Sequence, residues 1–189
     1  LAKDNFIRAY HNQKTIADIM EVFFKAGVDT IMAAPLPQLR EIVDDVQQRT
    51  GRKAILVITP GFNILPGGPA EQEPERVFDF VKSMGATFCL PHACITDQLL
   101  DRMHNVIRGM DKYSAMIRER GMIPGLSTHL PETLVTADRT NADVETYIQI
   151  YNAAGFLMNV EADWVMRVIR NAQKPVMTIK PLAAGRLLP

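Results

Sequence analysis

Two of the four histidines and one lysine stand directly after short apolar runs of the chain. His92 follows the run 86–90, His129 follows the run 122–126, and Lys180 follows the run 176–179. Imidazole exchanges a proton near neutral pH, and a lysine that loses solvation can act as a base, a Schiff-base nucleophile or an anion clamp. The residue types therefore predict acid/base chemistry, provided that the fold brings the three side chains together.

Other polar residues stand at comparable positions after apolar runs. An amide follows the run 54–58, and a phenol and a second amide end the run 147–151. We expect His92 and Lys180 to be the catalytic residues. The substrate-binding residues are then expected to be His129, Asn152, Tyr151 and Asn63.

Each of the three principal residues also has a simpler interpretation. His92 could serve only as a hydrogen-bond partner for a loop backbone, and His129 could cap a helix that begins at Pro131. Lys180 could be a surface residue, although Pro181 behind it restricts the backbone. The sequence leaves these alternatives open.

The elements that would position these residues repeat one pattern: a helical stripe, a glycine, a β-type run and a loop. Gly27, Gly51, Gly85 and Gly121 each separate a helical stripe from the next apolar run. One long helix, carrying apolar residues from Leu99 to Ile117, is expected with a break near Gly109. The predicted strands are 28–34, 54–58, 86–90, 122–126, 147–151 and 176–179.

Strands that are apolar along their whole length are covered on both faces, which leaves an open doubly wound sheet or a closed barrel. No glycine-rich phosphate turn follows the first strand, and the units are evenly spaced. We therefore predict an α/β fold, a (β/α)8 TIM barrel, as a single domain over residues 1–189. Because such barrels typically need about 250 residues, a first strand before Leu1 and a last strand after Pro189 are expected to be missing.

The net charge, the length of the apolar runs and the number of cysteines indicate which kinds of partner to expect. The 21 basic residues equal the 21 acidic residues, so no net field favours nucleic acid. No apolar run approaches the roughly 18 residues that a membrane span requires. Two cysteines, Cys89 and Cys94, are too few for a disulfide framework and are typical of a reducing compartment. We expect a cytoplasmic protein with a small-molecule ligand.

A metal site is not expected. His92, Cys94 and His129 offer ligand types that suit zinc, but the sequence shows no carboxylate beside them at a strand end and no H-x-H or C-x-x-C spacing.

Four segments, in order, resemble the aldo-keto reductase superfamily over roughly residues 14–189. Segment 88–92 (FCLPH) is similar to the strand that ends in the reductases' active-site histidine, and 125–128 (GLST) is similar to their G-x-S-N segment. Segment 150–152 (IYN) resembles their E-Y-N strand end, and 181–187 (PLAAGRL) resembles the turn beside the cofactor pyrophosphate. The resemblance implies the barrel fold, and it implies NADPH held by Ser127, Pro181 and Leu182.

The resemblance also shows which reductase residues this chain lacks. Met32 stands where the reductases have their catalytic aspartate, no tyrosine acid follows it, and Thr59-Pro60 replaces their lysine. Of the catalytic tetrad only His92 remains, so the chain resembles divergent members of the superfamily. Without the roughly 10²- to 10⁴-fold contribution of general acid catalysis, ordinary carbonyl reduction is not expected.

Three functions remain open on these grounds. The leading hypothesis is an enzyme that acts on a small polar or anionic metabolite at the carboxyl ends of the strands. The second is an NADPH-dependent oxidoreductase with a rearranged proton donor. The third is a non-catalytic barrel that binds a metabolite or docks on a partner through an apolar patch, for which Trp164, Phe23 and Phe24 are candidates.

Overall fold

The computed structural model describes residues 12–64 and 73–188 as alternating helices and strands. In chain order the elements are α1 (Gln13–Lys25), β1 (Thr30–Ala33), α2 (Leu39–Thr50), β2 (Ile55–Ile58), α3 (Pro74–Ser83), β3 (Phe88–Cys89), α4 (Ala93–Leu99), β4 (Leu100–Asp101), β5 (Val106–Ile107), α5 (Met110–Glu119), β6 (Ile123–Thr128), α6 (Pro131–Arg139), β7 (Thr146–Ile150), α7 (Ala162–Asn171) and β8 (Val176–Ile179).

Six of the strands form one sheet in the order β1-β2-β3-β6-β7-β8, and every neighbouring pair is parallel. The sheet forms half of a barrel wall, with the helices outside it. The predicted α/β architecture of six parallel strands in a partial barrel is therefore confirmed. Because all six strands run in one direction, their carboxyl ends lie along one rim of the wall.

The helix stops predicted at glycines are present. Gly51 follows α2 with a φ of 68°, and its backbone N–H donates to the Gln47 carbonyl. This left-handed conformation is one that glycine adopts without steric cost. The glycine therefore ends the helix and turns the chain toward β2.

The long helix predicted from Leu99 to Ile117 is wrong. That stretch contains the end of α4, the antiparallel pair β4 and β5, and α5, which begins after Gly109. The break expected near Gly109 is present, with a φ of 70°. The apolar residues of 99–107 mislead because Leu100 and Ile107 face the same apolar cluster from a hairpin rather than from one helix face.

Alternate residues of each strand face the two sides of the wall. On the inner side, Val57, Leu90 and Ile148 pack together with Phe88, Met177 and Ile179. On the outer side, Leu56, Ile58 and Cys89 pack in the cluster that includes Val43 of α2 and Phe78 of α3. The inner cluster supports the strands from which the rim residues follow.

At the sheet margins, apolar side chains are exposed. Met32 and Ile55, whose register places them on the inner side, are 36% and 39% exposed. Of the residues considered for a docking patch, Phe24 is buried, whereas Phe23 of α1 and Trp164 of α7 are exposed. None of the described helices is long and apolar enough to cross a membrane.

Gly125 lies where the inner wall is packed most closely. A Cβ on this residue would stand 2.7 Å from Leu90 Cγ and 2.7 Å from the Thr146 carbonyl oxygen. A side chain at position 125 would thus displace Leu90, which is two residues before His92. The glycine allows β3 and β6 to approach each other below the rim.

We expect Gly125→Ala to lower the free energy of unfolding by about 1–3 kcal/mol, the usual cost of overpacking. Chemical denaturation followed by circular dichroism measures this loss. Gly61→Ala is a suitable control for the added methyl, because a Cβ there would make only an ordinary contact, 3.8 Å from Cys94 Sγ, and Gly61 is not in the left-handed region. A Gly125→Ala protein as stable as the wild type would contradict the packing argument.

Candidate active site at the carboxyl ends of the strands

Three side chains that follow β3, β6 and β8 meet at the rim. Lys180 Nζ lies 3.3 Å from His129 Nε2. The charge of Lys180 lowers the pKa of both His92 and His129, after the larger effect of desolvation, and His92 also lowers the pKa of His129. The fold thus brings together the two histidines and the lysine that the sequence identifies as candidates.

His92 begins α4 and has a defined tautomer. Its Nδ1 accepts a hydrogen bond from the Cys94 backbone N–H at 3.2 Å, so Nδ1 carries no proton. In the neutral ring the proton is therefore on Nε2, on the far side of the ring from this bond. The backbone role considered for His92 is real, and it leaves the Nε2 proton available for a ligand.

His129 does not cap the following helix. The residue at the N-cap of α6 is Leu130, and no side chain caps that helix. Instead, the His129 ring meets Lys180. When Lys180 is an ammonium it can only donate, so Nε2 accepts and the neutral ring carries its proton on Nδ1.

Lys180 directly follows β8 and has an unusual backbone conformation. Its φ is 59°, in the left-handed region, which costs a non-glycine residue about 1–2 kcal/mol. The next residue is Pro181, and residues before proline normally favour extended backbone. Such strain is common at functional sites. Partial burial also lowers the pKa of the Lys180 amine.

Asp97 is a neighbour of the cluster that sequence reasoning missed. One carboxylate oxygen accepts a short hydrogen bond from the Thr128 hydroxyl, and the other accepts the His129 backbone N–H at 3.3 Å. Desolvation raises the pKa of Asp97, and these two donors oppose that rise. The carboxylate of α4 therefore holds the segment that carries His129.

Asp97 lies in a helix rather than at a strand end, so the strand-end residues alone do not indicate it. The sequence predicts a long helix with apolar residues from Leu99, whereas α4 begins at Ala93 and contains Asp97. The Ile95 and Thr96 backbone N–H groups donate to the His92 carbonyl, which starts the helix directly at the strand end. His92 is the N-cap of α4. A sequence prediction with a helix beginning after His92 would have placed Asp97 on that helix, close to the strand end.

The side-chain amide of Asn152, predicted to bind substrate, forms its hydrogen bonds within its own loop. Asn152 is buried, its Nδ2 donates to the Phe156 carbonyl at 3.0 Å, and its Oδ1 accepts the Phe156 N–H at 2.9 Å. Both ends of the amide therefore hold the loop after β7. Tyr151 and Asn63 are half-buried, and the Tyr151 N–H donates to the Ile179 carbonyl.

The three residues proposed to hold a cofactor lie in two places. Ser127 is buried and faces the inner side of the wall, in register with Ile148. Pro181 and Leu182 are exposed in the turn that directly follows Lys180, and the Ala183 N–H closes this turn on the Lys180 carbonyl at 2.9 Å.

Burial raises the pKa of both cysteine thiols. Cys89 is buried, and desolvation raises its pKa to about 12. Desolvation also raises the pKa of Cys94, which is exposed at the rim. Within 12–64 and 73–188, no three His, Cys, Asp or Glu side chains are grouped so that they could hold a metal ion.

Comparisons with solved structures identify proteins of similar fold. A D-psicose 3-epimerase matches with a TM-score of 0.54 and 16% identity, over 86% of this chain and 65% of that one. A D-allulose 3-epimerase from Methylomonas sp. matches with a TM-score of 0.54 and 13% identity, over 88% and 66%. An N-acetylmannosamine-6-phosphate 2-epimerase from Clostridium perfringens matches with a TM-score of 0.51 and 9% identity, over 89% of this chain and 80% of that one.

The fold is a partial TIM barrel. This chain spans about two thirds of the length of the D-psicose and D-allulose epimerases that it matches. At these identities the likeness concerns the fold, and it does not link the chain to the aldo-keto reductases. No protein-family model matches the chain, and no curated protein matches it.

We expect Asp97→Ala to lower the free energy of unfolding by about 1–3 kcal/mol, because the His129 N–H would lose its acceptor and the Thr128 hydroxyl its charged one. Only the contacts with the Leu130 carbonyl at 3.3 Å and the Thr133 hydroxyl at 3.2 Å would remain for that hydroxyl. Asp97→Asn, which retains one carbonyl oxygen, should lose less. Thermal or chemical unfolding compares the two variants. Asp79→Ala is a suitable control, since Asp79 forms an exposed pair with Arg120. Equal losses for Asp97→Ala and Asp79→Ala would contradict the role given to Asp97.

Proposed function

We propose that the protein is an enzyme that binds a small polar or anionic metabolite at the carboxyl ends of the barrel strands and moves a proton on it. The observation that carries this proposal is the contact of Lys180 Nζ with His129 Nε2, with His92 close enough for the lysine charge to affect its pKa. A proton donor and a proton acceptor thus stand side by side at the rim.

The electrostatics suit a base that works near neutral pH. Desolvation and the lysine charge hold the pKa of both histidines below the ordinary value of 6.5. Both rings are therefore largely neutral at pH 7. His129 can then accept a proton at Nε2, whereas His92, whose Nε2 carries the ring proton, can donate one. Lys180 supplies a positive charge that would stabilise an enolate or a substrate anion.

A hydroxylated carbonyl compound is the substrate class that we favour. The inner side of the wall below the rim is apolar, so the polar groups that would fix a ligand's orientation are concentrated at the strand ends. The proteins of similar fold are named as epimerases, one of them studied in the presence of D-fructose. Proton removal next to a carbonyl is the step that we propose for this chain.

Solvent deuterium exchange tests this proposal directly. The purified protein would be incubated in D₂O with a panel of ketoses, aldoses and their phosphates, including D-fructose, and exchange at carbon next to the carbonyl would be followed by proton NMR. We expect exchange with at least one compound. His129→Gln and His92→Gln should slow it by about 10²- to 10⁴-fold, the usual contribution of an acid/base group.

His104→Gln is the matched control, because the His104 ring is exposed and pairs with Asp101, which is not part of the cluster. Exchange by the wild type should rise with pH through the region below 6.5, since the lowered pKa values place deprotonation of the two rings there. Absence of exchange across the panel, or an equal loss in His104→Gln, would count against the proposal.

A second candidate is an NADPH-dependent oxidoreductase of the aldo-keto reductase lineage. Two features favour it: Ser127 faces the inner side at the end of β6, and Leu182 is 43% exposed in the turn beyond Lys180. In this case Ser127, Pro181 and Leu182 would hold the cofactor, and its hydride would reduce a carbonyl. His92 or Lys180 would then supply the proton that the missing tyrosine supplies in the reductases.

Titration of NADPH fluorescence against the protein distinguishes this candidate. If it is correct, emission should change saturably below millimolar cofactor, and Ser127→Leu should weaken the response because it fills the inner side beside Ile148. Ser83→Leu, at an exposed helix end, is the control. No saturable change up to millimolar NADPH would exclude the cofactor.

A further inference from the structure

The Lys180 amine has surroundings unlike those of Lys14, Lys25 and Lys174. Lys14 and Lys25 form exposed ion pairs with carboxylates, and Lys174 donates to the Ala142 carbonyl at 2.6 Å. Among the described residues, no carboxylate forms an ion pair with Lys180, and its nitrogen contacts an imidazole instead. Its ammonium form therefore lacks the anionic partner that usually stabilises a half-buried lysine.

On the basis of the proposed function, we infer that Lys180 is an amine nucleophile that forms a Schiff base with a ketone or aldehyde substrate, and that His129 Nε2 takes the ammonium proton across the 3.3 Å contact. This assignment names the reacting atom of the site, Lys180 Nζ. It also restricts the substrate to compounds with a free carbonyl group.

The step balances without a further reactant. Lys180 passes one ammonium proton to His129 Nε2, and the freed lone pair bonds to the carbonyl carbon. The attacking nitrogen then passes its second proton to the carbonyl oxygen, which becomes the hydroxyl of a carbinolamine. Its C–O bond then breaks as the nitrogen lone pair forms C=N, and the departing oxygen takes the proton from the His129 imidazolium and leaves as water. The product is a protonated imine, which withdraws electrons from the neighbouring C–H bond as the proposed proton transfer requires.

The charges around the amine favour this role over a simple anion clamp. His92 and His129 face it from the ends of β3 and β6, and both are neutral or positive rather than negative. Asp97 of α4, whose charge acts on both histidines, is bound to the Thr128 hydroxyl and the His129 N–H. Desolvation lowers the pKa of Lys180, and its amine contacts a proton acceptor, His129 Nε2, so this lysine loses a proton more readily than an exposed one.

The backbone also limits where the amine can reach. Lys180 is held in the left-handed conformation between β8 and Pro181, and its carbonyl accepts the Ala183 N–H. The side chain therefore starts from a fixed point on the rim, close to His129. A nucleophile held in this way needs less reorganisation to meet a bound carbonyl carbon.

Reductive trapping tests the inference. The protein would be incubated at pH 7 with pyruvate or dihydroxyacetone and sodium cyanoborohydride, and adducts would be assigned by peptide mass mapping. We expect modification at Lys180 to exceed that at the exposed Lys112 by about tenfold or more, because a bound carbonyl compound would be held beside Lys180 Nζ and not beside Lys112. Lys180→Met should remove this adduct while Lys112 reacts as before, and His129→Gln should slow trapping at Lys180.

A wild-type measurement keeps the test independent of how the variants fold. Trapping measured against pH should reach half its maximum at a lower pH for Lys180 than for Lys112 in the same digest. Equal modification and equal pH profiles of the two lysines would overturn the inference. Deuterium exchange that still depends on His129 would then leave the proposed function standing, whereas a Lys180 adduct without exchange would support the nucleophile and contradict the proposed proton transfer.

Discussion

Parallel pairing of the six sheet strands is the constraint on which the candidate site depends. Residues 92, 129 and 180 are far apart in the sequence, and each follows the carboxyl end of a different strand. Because parallel strands share one direction, those ends lie along the same rim, and no long-range contact among the three side chains is needed to bring them there. Close packing at Gly125 then sets how near β3 and β6 approach below the rim.

The fold was predictable because its signals are local and repeated. Gly51 ends a helical stripe and the apolar run 54–58 follows, and the same order recurs along the chain. The stretch after His92 broke this rule, since a short helix and a hairpin replace one long helix there. Hydrophobic spacing alone cannot distinguish two apolar strands that fold back on one cluster from one helix face.

For the candidate site, the sequence indicates which residue types follow the strands but not which contacts they form. Strand-end position was enough to select His92, His129 and Lys180. It could not show that Asn152 uses its whole amide within its own loop, or that Asp97 reaches the backbone of His129 from another unit. Both facts depend on side-chain directions set by tertiary packing, for which a single sequence carries no periodic signal.

The residues of the candidate site also lower the stability of the folded state. The pKa values of His92 and His129 lie below the value of 6.5 that applies to an unfolded chain. Between pH 6.5 and those lower values the unfolded chain binds more protons, so the folded state loses stability as the pH falls through this window. The left-handed backbone of Lys180 adds a further cost. Two features offset these costs: the hydrogen bonds from Thr128 and His129 to Asp97, and the apolar packing of Leu90 beneath the rim. The fold can therefore keep a strained and partly desolvated group of basic side chains at the rim of the half-barrel.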